Sequence, residues 1–71
     1  MSMIEKIRII LVKRGNMSEA ELARRLNTTP QNLNKKLTKG NLREEDLCKI
    51  AEALDCSYEG VFRFNDTGET I

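Results

Sequence analysis

The joint between Leu26 and Pro30 constrains the fold more than any other part of this sequence. Asn27 stands where a helix can end in the left-handed conformation, which asparagine tolerates better than most residues. Thr28 and Thr29 then offer a cap for a new helix, and Pro30 suits that helix's first position. Because the joint is so short, the two flanking helices must cross at a steep angle. The sequence therefore predicts two short helices held in a fixed mutual orientation.

The first helix is predicted upstream of this pair by apolar residues at helical spacing. Ser2 can cap it, Glu5 can complete a capping box, and the helix should stop at Gly15. Ile9 and Val12 point away from its main apolar stripe. They therefore need a second partner, which is either the C-terminal segment or another subunit.

The second and third helices flank the joint. Ser18 can cap the second helix, and the third runs from the joint to about Lys39 and ends at Gly40. Apolar spacing defines a narrow inward face on each helix. The inward residues are Leu22, Ala23 and Leu26 in the second helix, and Leu33 and Leu37 in the third.

The last third of the chain predicts a fourth helix, a further helical turn and a hairpin. The fourth helix should start near Arg43 with Asn41 as its cap, and the further turn should open at Ser57 and end at Gly60. The apolar period then changes to two over residues 61–64, with turn residues at 65–68 and a final segment at 69–71. Ile9 and Val12, or a second subunit, are expected to cover Phe62 or Phe64. Buried, reduced thiols are expected at Cys48 and Cys56.

Positive charge is concentrated in the middle of a chain whose net charge is only +1. Residues 22–43 carry six basic side chains and no acidic one, whereas residues 44–71 carry eight acidic and two basic side chains. Polyanions respond to local potential rather than to net charge. The basic block therefore indicates a polyanionic partner, or else a solvated surface whose bases pair with the acidic last third.

The outer side of the third helix is unusually rich in amides. With Leu33 and Leu37 facing inward, the opposite side carries Gln31, Lys35 and Thr38, and Asn32 and Asn34 flank them. Asparagine and glutamine bond adenine through two hydrogen bonds in the major groove of DNA, and lysine reaches guanine or phosphate. The pattern is typical of a base-reading helix, and the alternative is a solvated polar face.

Several other classes of protein are excluded by composition. The chain has 71 residues, no histidine and two cysteines, so it has neither the common acid–base and zinc constellations nor a disulfide framework. Its longest apolar run, Ile9 to Val12, is four residues, which is too short for a membrane span. We expect a single non-secreted domain with no catalytic residue, metal, cofactor, membrane contact or evident small-molecule effector.

Two runs of this sequence resemble the lambda-repressor/Cro-like (XRE) helix-turn-helix family. They are MSEAELARRLNTTPQNLNKKLTKG (residues 17–40) and LREEDLCKIAEALDCSYEGVF (residues 42–62). The resemblance implies an all-α fold, a compact bundle of about five helices, here with or without a short C-terminal β-hairpin. Residues 1–62 then form the DNA-binding domain, and residues 63–71 form a strand, hairpin or tail.

The resemblance also implies a role and a set of contacts. Members of the family bind double-stranded DNA operators as homodimers and regulate transcription, so a cytoplasmic, nucleoid-associated repressor is expected. The matching base-facing positions are Thr29, Pro30, Gln31, Asn34 and Lys35, with Asn32 next to them. The matching backbone-contacting positions are Ser18, Glu19, Lys36, Lys39, Asn41 and Arg43. Arg24 and Arg25 are expected to be solvated or to pair with acidic residues of the fourth helix, with phosphate contact as the alternative.

Three positions depart from the family's pattern. Glu19 stands where many members have glutamine, and a carboxylate there repels phosphate. Lys36 occupies a position that is often apolar, and Asn27 replaces the usual glycine of the turn. Glu19 and the acidic last third leave a second hypothesis open, in which the same fold is a protein-interaction module with little affinity for DNA.

Overall fold

The computed structural model describes residues 2–71 and contains four helices followed by two strands. In chain order these are α1 (Met3–Lys13), α2 (Glu19–Arg25), α3 (Pro30–Lys39), α4 (Glu44–Ala53), β1 (Cys56–Tyr58) and β2 (Phe62–Phe64). No helix in this described part of the chain is long and apolar enough to cross a membrane.

Hydroxyl caps begin the first three helices, as the sequence predicts. The side-chain oxygens of Ser2, Ser18 and Thr29 each accept the backbone N–H of the residue three positions later, at 3.3, 3.1 and 3.1 Å. Left-handed residues also stand where they were expected, with φ of +56° at Asn27 and +69° at Gly40. These local signals therefore fix the length of each helix and the joint between α2 and α3.

The predicted cap of the fourth helix was wrong. Arg43, not Asn41, is the cap residue, and its backbone N–H donates to Oδ2 of Asp46 at 3.1 Å. The cap position therefore needs no hydroxyl or amide side chain, because the acid three residues later binds the cap backbone instead.

One apolar core joins all six elements. Its buried residues are Ile7, Ile10, Leu11, Leu22, Ala23, Leu33, Leu37, Leu47, Ile50, Ala51, Leu54, Cys56, Phe62 and Phe64. Leu26 and Leu42 are half-buried against this core. The inward faces predicted for the second and third helices are thus confirmed, apart from the partial exposure of Leu26.

Two expectations about side-chain burial were wrong. Phe62 and Phe64 are buried in the core of the single chain, and Ile9 and Val12 are not part of that core. Val12 remains 63% exposed. Cys48 is also exposed, because it lies one residue outside the inward face of α4, although both cysteines are free thiols as expected.

A strand replaces the predicted fifth helical turn. β1 pairs antiparallel with β2, with Cys56 opposite Phe64 and Tyr58 opposite Phe62. Ser57 therefore lies in a strand rather than at a helix start, because cross-strand pairing overrides a three-residue local preference. The bundle accordingly has four helices rather than about five.

The predicted C-terminal hairpin is confirmed within one chain. Phe62 and Ile71 exchange two backbone hydrogen bonds of 3.0 Å each, and the Phe64 N–H donates to the carbonyl of Glu69 at 2.9 Å. β2 is therefore bonded on both sides, by β1 and by residues 69–71.

Arg14 joins the end of α1 to the turns around the strands. Its guanidinium donates to the carbonyls of Leu54 and Asp55 at 2.9 and 3.0 Å, and to both carboxylate oxygens of Asp66. It also lies 4.5 Å from the ring centroid of Phe64. Because a guanidinium carries several donors in a fixed plane, this one side chain ties three segments together.

Candidate nucleic-acid interface

The joint holds α2 and α3 in one orientation. The N–H groups of Leu26 and Thr28 both donate to the carbonyl of Ala23, at 3.1 and 3.0 Å. Ala23 is itself fully buried, and α2 packs directly on α3. Because a larger side chain at this position would separate the helices, the small alanine allows the close crossing that a helix-turn-helix needs.

The outward face of α3 consists of polar side chains with few internal partners. Gln31, Asn32, Asn34 and Lys35 are exposed, and within residues 2–71 their side chains form neither ion pairs nor hydrogen bonds. The hydroxyl of Thr38 differs, because it donates to the backbone carbonyl of Asn34 at 2.8 Å. The amides and the Lys35 ammonium therefore retain their full capacity to bind an external ligand.

Two shallow hollows meet at Lys35. One is lined by Glu19, Pro30, Gln31, Asn34 and Lys35 and lies between the start of α2 and α3. The other runs between α3 and α4 and is lined by Lys35, Lys36, Lys39, Asn41, Leu42, Arg43, Glu45 and Asp46. The fold thus brings four of the base-facing candidates, Pro30, Gln31, Asn34 and Lys35, together with Glu19 in the first hollow. The second hollow contains the remaining candidates for contact with the DNA backbone, except Ser18.

Lys36 makes an ion pair across the second hollow. Its Nζ lies 3.1 Å from Oδ1 of Asp46 on α4. The N–H of Arg43 and then this lysine lower the pKa of the Asp46 carboxyl below its ordinary value. A lysine at a usually apolar position therefore links α3 to α4, a role that the sequence analysis missed. Its only sequence signal was an acid in the first turn of the next helix.

Arg24 and Arg25 are occupied by partners near α2. Both bind the carboxylate of Glu21, whose pKa is lowered first by Arg24 and then by Arg25. Arg25 also donates to the carbonyl of Ala53 at the end of α4, at 3.2 Å. Both arginines are exposed, as expected, but within residues 2–71 their acidic partner belongs to α2 and not to α4.

The remaining positive charge faces the two hollows. Among the six basic residues of the block, Lys35, Lys39 and Arg43 form no ion pair within the described residues 2–71. All three line the hollow between α3 and α4. Charge and hydrogen-bonding capacity therefore coincide on one side of the molecule, which suits a polyanion that also presents base edges.

Comparison with known proteins gives a result consistent with this geometry. The family profile of the Cro/C1-type HTH DNA-binding domain matches residues 6–67, which begin within α1 and extend beyond β2. Neither the comparison with curated proteins nor that with solved structures gave a match.

Proposed function

Because the chain belongs to the family of Cro/C1-type helix-turn-helix DNA-binding domains, we propose that it is a sequence-specific regulator of transcription. It binds double-stranded DNA as a homodimer, with α3 in the major groove and α2 across the sugar–phosphate backbone. We assign it to the cytoplasm, with the nucleoid, where its proposed DNA ligand lies. A bound dimer blocks the DNA that it covers, so it acts as a repressor by occlusion.

The observation that carries this proposal is the outward face of α3. It combines unpartnered amides with Lys35, directly after the joint in which Asn27 adopts the left-handed conformation. Amide side chains discriminate adenine in the major groove, and lysine binds guanine or phosphate. We assign base contacts to Thr29, Pro30, Gln31, Asn32, Asn34 and Lys35.

Backbone contacts are assigned to the start of α2 and to the hollow between α3 and α4. The Ser18 hydroxyl accepts a backbone N–H through its oxygen, so its own hydrogen remains free to donate to a phosphate. The other assigned contacts are Lys36, Lys39, Asn41 and Arg43. Lys36 is the weakest of the cations in this role, because Asp46 already neutralises much of its charge. Glu19 is assigned a position beside the backbone at the start of α2, where its carboxylate repels phosphate.

The homodimer is supported by an uncovered apolar strip on α1. Val12 is 63% exposed and Ile9 is only half-buried, although both are large apolar residues. A symmetric dimer would place two copies of α3 about 34 Å apart, on successive major grooves of a palindromic operator. Sedimentation velocity over a range of concentrations tests this proposal, and a chain that stays monomeric on operator DNA contradicts it.

DNA binding is tested by fluorescence anisotropy with a labelled random-sequence duplex at increasing salt. The logarithm of the association constant should fall linearly with the logarithm of salt concentration, with a slope of about −3 or steeper if several phosphates are contacted. On a duplex selected from a random library with the wild-type chain, Lys35→Ala should weaken binding strongly. Lys49→Ala removes the same charge from the exposed side of α4 and should have little effect.

The same experiment separates DNA binding from the protein-interaction hypothesis. Glu19 favours that hypothesis, because a carboxylate beside the base-facing residues repels phosphate. Absence of binding at low salt, or equal effects of the two lysine substitutions, would contradict the DNA-binding proposal. The basic hollow between α3 and α4 would then be tested as a docking surface for an acidic protein.

A further inference from the structure

Glu19 has an unusual environment at the edge of the proposed DNA surface. Within residues 2–71, its Oε1 is the only buried side-chain oxygen or nitrogen that has no hydrogen-bond partner. The residue lies at the start of α2 and lines the same hollow as Gln31, Asn34 and Lys35. This unpartnered carboxylate oxygen is already costly. Because Glu19 as a whole is only half-buried, a ligand that covers the hollow also removes water from the rest of the side chain and increases the need for a donor.

DNA phosphates cannot supply that donor, because they are anionic and carry only acceptor oxygens. The donors already in the hollow are the amides of Gln31 and Asn34 and the ammonium of Lys35. Only the ammonium also neutralises the carboxylate charge. Lys35 is therefore the side chain that Glu19 binds best when DNA covers the hollow.

Lys35 also borders the second hollow, which contains Lys39 and Arg43. Its flexible side chain thus has two directions available to it. Toward the α3–α4 hollow it adds one more phosphate contact, which is independent of sequence. Toward Glu19 it stays beside Gln31 and Asn34, next to the proposed base edges.

We propose that Glu19 is a specificity-determining residue that positions Lys35. In the DNA complex the Glu19 carboxylate accepts a hydrogen bond from the Lys35 ammonium, and this bond holds the lysine over the bases and away from the phosphates. The inference rests on the proposed function, since it requires α3 to lie in the major groove. It makes Glu19 a residue that lowers sequence-independent affinity and raises discrimination between sequences.

The test compares Glu19→Gln with Glu52→Gln in the full chain. Glu52 is exposed on α4 and lines neither of the two hollows, so its substitution matches the change in charge alone. A duplex selected from a random library with the wild-type chain serves as the specific site, and the random duplex serves as the reference. Anisotropy at several salt concentrations gives both affinities, and thermal unfolding verifies that each variant is folded.

In Glu19→Gln, Lys35 is released to a phosphate, so the salt slope on random DNA should become steeper by about 0.9. The ratio of specific to random affinity should fall about fivefold or more, the lower range for one specific base contact. Glu52→Gln should leave both quantities at the wild-type values. In a Lys35→Met background, Glu19→Gln should change neither the slope nor the ratio.

Two outcomes would overturn the inference while the proposed function stands. Equal effects of Glu19→Gln and Glu52→Gln would show that Glu19 acts through net charge alone. An effect of Glu19→Gln that persists beside Lys35→Met would show that Glu19 acts on DNA without Lys35. A wild-type chain that binds no DNA overturns the proposed function itself and is recognised before any variant is compared.

Discussion

At the scale of single residues, Asn27 shows how one backbone angle fixes the geometry of the site. Its φ of +56° lies in the left-handed region, which costs an ordinary L-residue about 1–2 kcal/mol and costs glycine almost nothing. We therefore expect Asn27→Ala to lower the free energy of unfolding by about 1 kcal/mol. Asn27→Gly should leave that free energy unchanged or raise it.

Urea unfolding followed by circular dichroism measures both variants. Since both substitutions remove the amide side chain, an equal loss of stability in the two would show that the amide, and not the backbone angle, is what matters at Asn27.

At the scale of elements, the C-terminal sheet depends on Phe62. The side chain is fully buried, and its ring centroid lies 5.0 Å from that of Tyr58 on β1. Its backbone also pairs with Ile71. Phe62→Ala should cost about 3–5 kcal/mol, which approaches the total stability of a domain of this size. We expect cooperative thermal unfolding to be lost.

Phe62→Leu and Val61→Ala are the controls for this prediction. Leucine keeps most of the buried volume, so its thermal transition should remain cooperative at a lower temperature. Val61 is 38% exposed, and its substitution should change stability by less than about 0.5 kcal/mol. A cooperative transition in Phe62→Ala close to that of the wild type would contradict the assigned role of the sheet.

The same elements show how far the sequence alone predicts the fold. The ends of α1, α2 and α3 are predictable because their caps and left-handed residues act within a few positions of each other, as at Ser18, Thr29 and Gly40. β1 is not predictable in this way. Its three residues become a strand only through pairing with β2, and Ser57 read locally is a helix cap.

The candidate site could also be predicted from the sequence only in part. Which residues of α3 face outward follows from the positions of Leu33 and Leu37, and the structure places them so. The Lys36–Asp46 pair and the hollow around Glu19 depend instead on how neighbouring helices pack. No local pattern encodes that packing, so these features emerge only in three dimensions.

At the scale of the whole molecule, the acidic last third does not neutralise the basic block. Two of its acids bind α1 instead, through the pairs Lys13–Glu69 and Arg14–Asp66. Within residues 2–71, the only ion pair between the block and residues 44–71 is the one between Lys36 and Asp46. Glu45 and Asp46 border the basic hollow between α3 and α4. Among the described residues, the other bases of the block form no ion pair with the acidic last third, so the block keeps most of its positive potential.

The pH dependence of stability should follow from these ion pairs. The pKa of Asp66 is lowered by Arg14, that of Asp46 by the Arg43 N–H and Lys36, and that of Glu21 by Arg24 and Arg25. A carboxyl with a lowered folded pKa stabilises the fold above its unfolded pKa, and this contribution is lost as pH falls through the folded value. The ordinary values are 3.8 for aspartate and 4.5 for glutamate.

The chain has no histidine, so thermal stability should stay nearly constant between about pH 5 and 8 and fall below about pH 4. Circular dichroism melts across this range give the profile. Asp66→Asn should reduce stability at neutral pH and make the acid-induced decline smaller. A midpoint that changes steeply between pH 5 and 8, or an Asp66→Asn profile parallel to that of the wild type, would contradict this account.

The ten-residue helix α3 is anchored in the core by only two buried side chains, Leu33 and Leu37. Its other positions can therefore vary without opening a cavity, provided that the cap at Thr29 and the left-handed Gly40 are kept. The residues of α3 that stabilise the fold thus differ from those that are proposed to select the DNA sequence. Related proteins can therefore change the DNA sequence that they bind through substitutions on the surface of this helix, and each intermediate remains folded. For the same reason, new outward residues can be introduced by design.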